Sequence, residues 1–257
     1  MNLREARVAF RDRSVADVLD LAVRFLAVHA RVYGRVALFT LLPFGLLALL
    51  FGRVFGWTLA WAVAIPLAVF VEAPFTILAS RLVFEDDVRA RDVLRASLTA
   101  APRVLLTRVI ALVMIGAGTS CFFVPGVGLA ALTLFVSEAM LLERAGMMTA
   151  FGRAQRVASN AIGDVVLAIL VISLVPVAAV LLTDFGGRTL IGEIFQFRPP
   201  PPVWTEGGSA LGTIGLFLQV PFLATARFFL YLNVRTRTEG WDIQTRFARL
   251  AVREERA

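Results

Sequence analysis

The chain has 257 residues, of which 58% are hydrophobic, and its mean hydropathy is +0.78. A soluble domain of this composition would not stay dispersed in water, so the composition indicates insertion into a membrane. The net charge of +7 comes from 26 basic residues, all of them arginine, and 19 acidic residues. In a membrane protein this balance favours anionic lipid headgroups as partners, and no motif of a known nucleic-acid-binding module accompanies it.

The first predicted element is an amphipathic helix over 14–33. Ser14 and Asp17 have the spacing of a helix-capping box, which marks the start of the helix. Two faces then recur at helical spacing, with Asp17, Asp20, Arg24 and Arg31 opposite Val18, Leu21, Ala22 and Phe25. We expect the apolar face to lie against the bundle or the inner leaflet, because arginine side chains can reach the headgroups from there.

Six transmembrane helices follow, because six stretches are apolar and long enough to cross a hydrocarbon core of ~30 Å. They are predicted at 36–52, 56–80, 104–122, 127–143, 164–183 and 210–233. Short turns near Gly56 and Pro125 join the first two pairs as helical hairpins. The sequence thus predicts one integral membrane domain over 1–257, an all-α bundle of three hairpins with amphipathic helices at the interface.

The arginines are distributed unequally between the two sides of this arrangement. Seven precede the first span, six lie at 81–108, three lie at 144–156 and six follow residue 234, which places 22 on the side of the termini. Arg53, Arg188 and Arg198 lie on the other side, and Arg227 lies within a span. By the positive-inside rule, both termini are predicted in the cytoplasm and the chain is predicted to be a multi-pass protein of the bacterial inner membrane.

A weak internal repeat follows the same three-part division. Asp17-Val-Leu, Asp92-Val-Leu and Met148-Thr-Ala-Phe each begin a short amphipathic stretch that leads into a new span. The repeat predicts three units, each an interfacial helix followed by a transmembrane hairpin.

The segment 184–208 is predicted as a long loop on the side opposite the termini, and it contains the prolines Pro199–Pro202. Consecutive prolines favour a stiff, extended strand. Such a strand can be a rigid spacer between two spans or a docking site for an envelope protein, and the spacer is the simpler interpretation.

Glu72, Glu138 and Arg227 are ionisable residues well inside predicted spans, each in the second helix of its hairpin. A charged group in hydrocarbon costs at least ~2.5 kcal/mol on insertion scales, so such groups pair or face a wet cavity. We therefore expect Arg227 to contact Glu72, Glu138 or both at the centre of the bundle. Two roles stay open: an ion pair that only fixes helix register, and a path for a proton, an ion or an anionic lipid headgroup.

Pro66, Pro74 and Pro221 lie in the same helices as the buried charges. A proline can break a transmembrane helix and open backbone carbonyls toward a cavity, as in the broken helices of transporters. Proline is also common in ordinary transmembrane helices. These residues leave a transport site open without requiring one.

The sequence contains little that indicates catalysis. It has one histidine, His29, one cysteine, Cys121, and no lysine. No nucleotide-binding loop, nucleophile elbow or paired-carboxylate motif occurs in it. We expect no enzyme activity, no metal and no cofactor, and we expect His29 to be a polar residue at the membrane interface.

The C-terminal end of the last span has the most distinctive pattern of the chain. The pattern consists of Tyr231, Asn233, Arg235, Arg237, Glu239, Gly240, Trp241 and Asp242. A basic amphipathic tail is predicted over 239–256, with four arginines on one face and apolar residues on the other. We expect this tail to lie on anionic lipid of the cytoplasmic leaflet, although a cytoplasmic protein could use the same face.

This pattern resembles the tail of bacterial multi-span proteins grouped as the glycerophosphoryl diester phosphodiesterase membrane-domain family, which has an aspartate where Asn233 stands. A second segment is also similar to the family: Glu143-Arg-Ala-Gly with Ala150, Arg153 and Arg156, in which Ala154 replaces a serine. The resemblance implies six spans and an inner-membrane location. It implies no phosphodiesterase activity, because in the family's namesakes that chemistry looks like the work of a separate soluble barrel, and this sequence contains none.

The sequence therefore predicts a noncatalytic membrane module that organises lipid or a membrane or envelope protein partner. The alternative is a transporter or lipid-translocating protein that uses Glu72, Glu138 and Arg227. An intramembrane enzyme is a third hypothesis with less support.

Overall fold

The computed structural model describes residues 13–85, 87–143 and 145–238. These residues form eleven α-helices, and no strand occurs among them. In chain order the helices are α1 (Val15–Val28), α2 (Ala30–Phe55), α3 (Trp57–Phe70), α4 (Glu72–Phe84), α5 (Ala90–Cys121), α6 (Phe123–Thr133), α7 (Val136–Glu143), α8 (Met147–Ser159), α9 (Ile162–Thr189), α10 (Ala210–Leu218) and α11 (Val220–Thr238). A π-helical turn, Leu190–Ile194, continues α9.

Six helical segments of the described chain are long and apolar enough to cross a membrane: α2, α3 with α4, α5, α6 with α7, α9 with its π-helical turn, and α10 with α11. The predicted all-α class with six spans is confirmed. An even number of crossings brings both ends of the chain to the same side of the bundle. Accordingly, the backbone N–H of Arg13, near the N-terminus, donates to Oδ1 of Asn233, near the end of the last span, at 3.1 Å. We call this end of the bundle the terminal face and the opposite end the loop face.

The second segment of each hairpin is far more buried than the first. Over the most apolar 18 residues, 61% of α3–α4, 44% of α6–α7 and 72% of α10–α11 are buried, against 17% in each of α2, α5 and α9. The three buried segments form an inner layer, and α2, α5 and α9 form an outer shell. Large apolar side chains of the outer shell, such as Leu46, Val113 and Leu170, are exposed on the outside of the bundle, where lipid would cover them.

All three inner segments are interrupted near their middle. The interruptions fall at Val71, at 134–135 and at Gln219. Pro74 and Pro221 follow two of them within three residues, and each proline removes a backbone N–H and clashes with the carbonyl four residues earlier. These two prolines therefore break their helices as expected, whereas Pro66 lies inside α3 without a break. The interruption between α6 and α7 has no proline beside it and was not predicted.

Helices α1 and α8 are short, amphipathic and lie at the terminal face. Ser14 Oγ accepts from the backbone N–H of Asp17 at 3.2 Å, which confirms the predicted capping box. The buried face of α1 packs on α11, with the rings of Phe25 and Phe229 edge to face at 5.1 Å. The predicted end at residue 33 is wrong, because the backbone leaves the helical region at His29 and α1 ends at Val28.

The second predicted interfacial helix is not a separate element. Helix α5 runs unbroken from Ala90 to Cys121, so the stretch that begins at Asp92 continues directly into the third span, predicted at 104–122. No glycine separates the two stretches, and Pro102 is accommodated inside the helix. The repeat therefore has separate interfacial helices only in its first and third units, α1 and α8.

The predicted loop 184–208 is shorter than expected, because α9 and its π-helical turn extend to Ile194. Asp184 is consequently buried within α9, where it accepts hydrogen bonds from the Ser209 hydroxyl and from the backbone N–H of Val203. Trp61 Nε1 donates to the carbonyl of Gly207 at 2.8 Å. These bonds hold the loop against α3 and α9, as a spacer between spans would be held.

A buried charge cluster beside a cavity between the helices

The structure brings Glu72, Glu138 and Arg227 together, although they belong to three different inner segments. Arg227 Nη1 donates to Glu72 Oε2 at 2.8 Å, and Arg227 Nε lies 3.2 Å from Glu138 Oε1. Arg227 Nη2 donates to the backbone carbonyl of Leu134 at 2.8 Å. The arginine thus joins α11 to α4 and to the junction between α6 and α7.

A fourth charge, Arg108 of α5, completes the cluster and was missed in the sequence. Its Nη2 lies 3.1 Å from Glu72 Oε2, and its Nε donates to Ser137 Oγ at 2.9 Å. Counting Arg108 among the arginines at the membrane face was wrong, since its side chain is only 8% exposed inside the bundle. The position of Arg108 within the predicted span 104–122 was the signal that could have found it.

We call Glu72, Arg108, Glu138 and Arg227 the charge cluster. Two guanidinium groups and two carboxylates give it no net charge, and the carboxylates of Glu72 and Glu138 are only 5% and 1% exposed. Buried ions are tolerated inside a membrane-spanning bundle when opposite charges and hydrogen bonds replace water. The cluster meets this condition because each carboxylate contacts at least one guanidinium.

The interruptions of the inner helices help to hold the cluster. Glu72 is the first residue of α4, and Glu138 lies in the first turn of α7. A helix N-terminus carries a partial positive charge, which stabilises a carboxylate there. The interruption at 134–135 also leaves the Leu134 carbonyl available to Arg227. The same local breaks therefore stabilise both the negative and the positive members of the cluster.

A cavity of about 230 Å³ lies beside the cluster, and both of its arginines line it. The remaining wall is mostly apolar and includes Ala111, Leu112, Ile115, Ala130, Ile169 and Ile172. Leu112 of α5 and Ser173 of α9 also line the cavity and are themselves exposed, so the cavity opens on the outside of the bundle between these two helices. Within the described residues, Arg108 Nη1 is buried and has no hydrogen-bond acceptor.

The resemblance-bearing residues form a second group at the terminal face. Tyr231 Oη donates to Glu143 Oε1 at 2.6 Å, and Arg235 Nη1 lies 2.9 Å from the same oxygen. Arg153 of α8 forms an ion pair with the other oxygen of Glu143. The tail pattern and the second similar segment thus contact each other around the Glu143 carboxylate.

Two further tail residues connect α11 to other elements. Asn233 Nδ2 donates to the carbonyl of Arg13 at 2.9 Å, while its Oδ1 accepts from the N–H of the same residue. Arg237 forms an ion pair with Asp164 at the start of α9. Glu239, Gly240, Trp241, Asp242 and the predicted tail 239–256 lie outside the described residues.

The chemistry available to the charge cluster follows from its residue types. A guanidinium does not release its proton in a protein, so Arg108 and Arg227 can hold an acceptor or a negative charge but cannot relay a proton themselves. Among the described residues, no group of three or more histidine, cysteine, aspartate or glutamate side chains is arranged to hold a metal ion. His29 lies at the junction of α1 and α2, where its Nδ1 is 2.9 Å from the Phe25 carbonyl. The arrangement is that of a polar binding or positioning site inside an apolar bundle.

Comparison of the chain with models of protein families, with curated proteins and with solved structures gives no match. The resemblance to the glycerophosphoryl diester phosphodiesterase membrane-domain family therefore stays a prediction based on the tail pattern and the segment around Glu143.

Proposed function

We propose that this chain is a noncatalytic multi-span protein of the bacterial inner membrane that gathers anionic lipid, or a protein partner, at its terminal face. The observation that carries the proposal is the unequal distribution of exposed arginines in the described chain. Those of the terminal face are Arg24, Arg31, Arg35, Arg89, Arg91, Arg95, Arg103, Arg156 and Arg237. At the loop face, Arg53 and Arg198 are exposed, and Arg188 donates to the Pro200 carbonyl.

The positive-inside rule supports a cytoplasmic position for the terminal face, because basic residues near transmembrane helices are retained there during insertion. The cytoplasmic leaflet is also the one that carries a negative surface potential, which attracts arginine by about 1 kcal/mol for each residue near the surface. Helices α1 and α8 pack across this face and add polar surface to it. The face is therefore suited to hold anionic headgroups beside the bundle.

The orientation is tested by labelling single cysteines in a Cys121→Ser background. In intact spheroplasts, an impermeant thiol reagent should label a cysteine at position 198 and should leave one at position 95 unlabelled. After the membrane is opened, both should react. Labelling of position 95 in intact spheroplasts would place the terminal face outside and would overturn the proposal.

The lipid preference is tested with the purified full chain in nanodiscs that contain phosphatidylglycerol or only phosphatidylcholine. We expect Arg91→Gln combined with Arg95→Gln to weaken phosphatidylglycerol enrichment about thirtyfold, since two charges worth about 1 kcal/mol each are removed from the surface. Arg53→Gln combined with Arg198→Gln removes the same charge from the loop face and should have a much smaller effect. Equal losses in the two double variants would contradict a role for the terminal face.

Transport or lipid translocation is the second candidate, favoured by the interruption of all three inner segments and by the cavity beside the charge cluster. It predicts ion flux or lipid flipping in reconstituted vesicles that is lost in Glu72→Gln or Glu138→Gln. Flux or lipid binding that survives both substitutions unchanged would leave the cluster with the role of fixing helix register.

A further inference from the structure

We propose that the cavity between α5 and α9 binds an uncharged acyl glycerolipid, such as a diacylglycerol, with an ester carbonyl of the lipid accepting a hydrogen bond from Arg108 Nη1. The inference goes beyond the proposed function, because the site lies within the span and does not use the arginines of the terminal face.

The first argument is an unmet hydrogen-bond donor. The Arg108 side chain is only 8% exposed, and it lines the cavity. Its Nε donates to Ser137 Oγ and its Nη2 contacts Glu72, but its Nη1 has no acceptor among the described residues. A buried guanidinium N–H without an acceptor is costly, so an oxygen from outside the chain that reached Nη1 would stabilise the site.

The second argument is the charge balance, which selects the kind of oxygen. Glu72 and Glu138 already neutralise Arg108 and Arg227. A phosphate or a carboxylate would add a net negative charge in a medium of low dielectric constant, whereas a carbonyl adds an acceptor without a charge. The cluster therefore favours a neutral acceptor over an anion.

The third argument is the shape and lining of the cavity. Its volume of about 230 Å³ equals that of roughly eight water molecules at ~30 Å³ each, enough for an ester group and several methylenes. Alanine, leucine and isoleucine side chains form most of its wall and suit a hydrocarbon chain. The exposed Leu112 and Ser173 mark an opening on the outside of the bundle, through which the rest of a lipid chain can extend.

The depth of Arg108 in its span disfavours a charged headgroup. Arg108 precedes Cys121, the last residue of α5, by thirteen positions, which corresponds to ~20 Å along a helix. With Cys121 at the loop-face boundary of a hydrocarbon core of ~30 Å, the backbone of Arg108 lies ~10 Å below the boundary at the terminal face. A phospholipid would have to carry its phosphate into hydrocarbon to reach Arg108, whereas a diacylglycerol carries only a hydroxyl group.

The test measures equilibrium binding of radiolabelled dioleoylglycerol to the full chain in nanodiscs made of diether phosphatidylcholine, which contributes no carbonyl of its own. The matched probe is dioleylglycerol, in which ether links replace the esters. We expect the ester to bind about tenfold more tightly than the ether, because an ether oxygen is the poorer acceptor. Dioleoyl phosphatidate is the anionic probe and should compete weakly.

Three variants connect the binding to the cavity. Ala111→Phe fills the cavity and should abolish binding of both lipids, whereas Val113→Phe adds the same ring on the exposed side of α5 and should leave binding unchanged. Arg108→Lys keeps the positive charge beside Glu72 but loses the planar guanidinium, and with it the separate Nη1 donor. It should therefore remove the preference for ester over ether.

Equal affinity of the ester and the ether for the unaltered chain would overturn the proposal, as would tighter binding of phosphatidate. Unchanged binding in Ala111→Phe, with its helical circular dichroism preserved, would place the lipid elsewhere and would also overturn it.

Discussion

The inner and outer helices of this bundle have similarly apolar sequences but differ in length, burial and charge. The outer helices α2, α5 and α9 are long, and only 17% of their apolar stretch is buried. The three inner segments are interrupted, and each supplies one of the charged residues Glu72, Glu138 and Arg227. Hydropathy alone separates the two layers poorly, since both pass as membrane-spanning.

The difference shows where a membrane protein can place irregular backbone and charge. In lipid, each free backbone carbonyl or buried ion must find a partner within the protein. The Leu134 carbonyl accepts a hydrogen bond from Arg227, and both carboxylates form ion pairs with guanidinium groups, because other helices surround them. Arg108 fits the same logic although it belongs to the outer helix α5, since its side chain points inward to Glu72.

The largest expected effect comes from removing the central arginine of the inner layer. Arg227→Gln leaves two carboxylates with only Arg108, and breaking a buried ion pair on one side costs about 3–5 kcal/mol. We expect a loss of this size in the free energy of unfolding, measured by denaturant titration in mixed micelles.

Two variants control this prediction. Arg103→Gln removes an exposed arginine from α5 and should change the stability by less than about 0.5 kcal/mol. Arg227→Gln combined with Glu138→Gln restores charge balance and should recover part of the loss. A double variant no more stable than Arg227→Gln would show that hydrogen bonds, rather than charge balance, hold the cluster.

A smaller loss of unfolding free energy is expected from apolar substitutions, which compare the packing of the inner layer with that of the outer shell. Leu78 in α4 is fully buried, whereas Leu170 in α9 is 52% exposed. Leu78→Ala should cost about 3 kcal/mol, because it leaves a cavity in the inner layer. Leu170→Ala should cost much less, since lipid can fill the space. Similar losses of unfolding free energy in the two variants would contradict the division into an inner layer and an outer shell.

The smallest expected effect lies at the terminal face and bears on the family resemblance. Asn233 both donates to and accepts from the backbone of Arg13, and an aspartate can only accept. Asn233→Asp should therefore lower the free energy of unfolding by about 1 kcal/mol, while Asn160→Asp, at an exposed position, serves as the control. A gain in stability would show that the aspartate of the family pattern suits this position.

The sequence by itself determined the six spans, the all-α class and the side on which most arginines lie. These features depend on local properties, since a span needs only enough consecutive apolar residues. Two of the three interruptions of the inner segments are also marked locally, by Pro74 and Pro221, although Pro66 lies in its helix without a break. The capping box at Ser14 is local in the same sense. Boundaries were less accurate, because an amphipathic stretch such as that beginning at Asp92 can either end or continue into a span.

Only the tertiary structure decided that Arg108 joins Glu72, Glu138 and Arg227, and which helices are inside. Arg108 looked like a boundary arginine because its partners, Glu72 and Ser137, are distant in sequence. The interruption between α6 and α7 carries no proline, and the Leu134 carbonyl that it exposes accepts a hydrogen bond from Arg227 of α11. No local sequence pattern therefore predicts this interruption. Burial of a guanidinium and a free carbonyl is favourable only when both are present, and that condition is set by packing between helices.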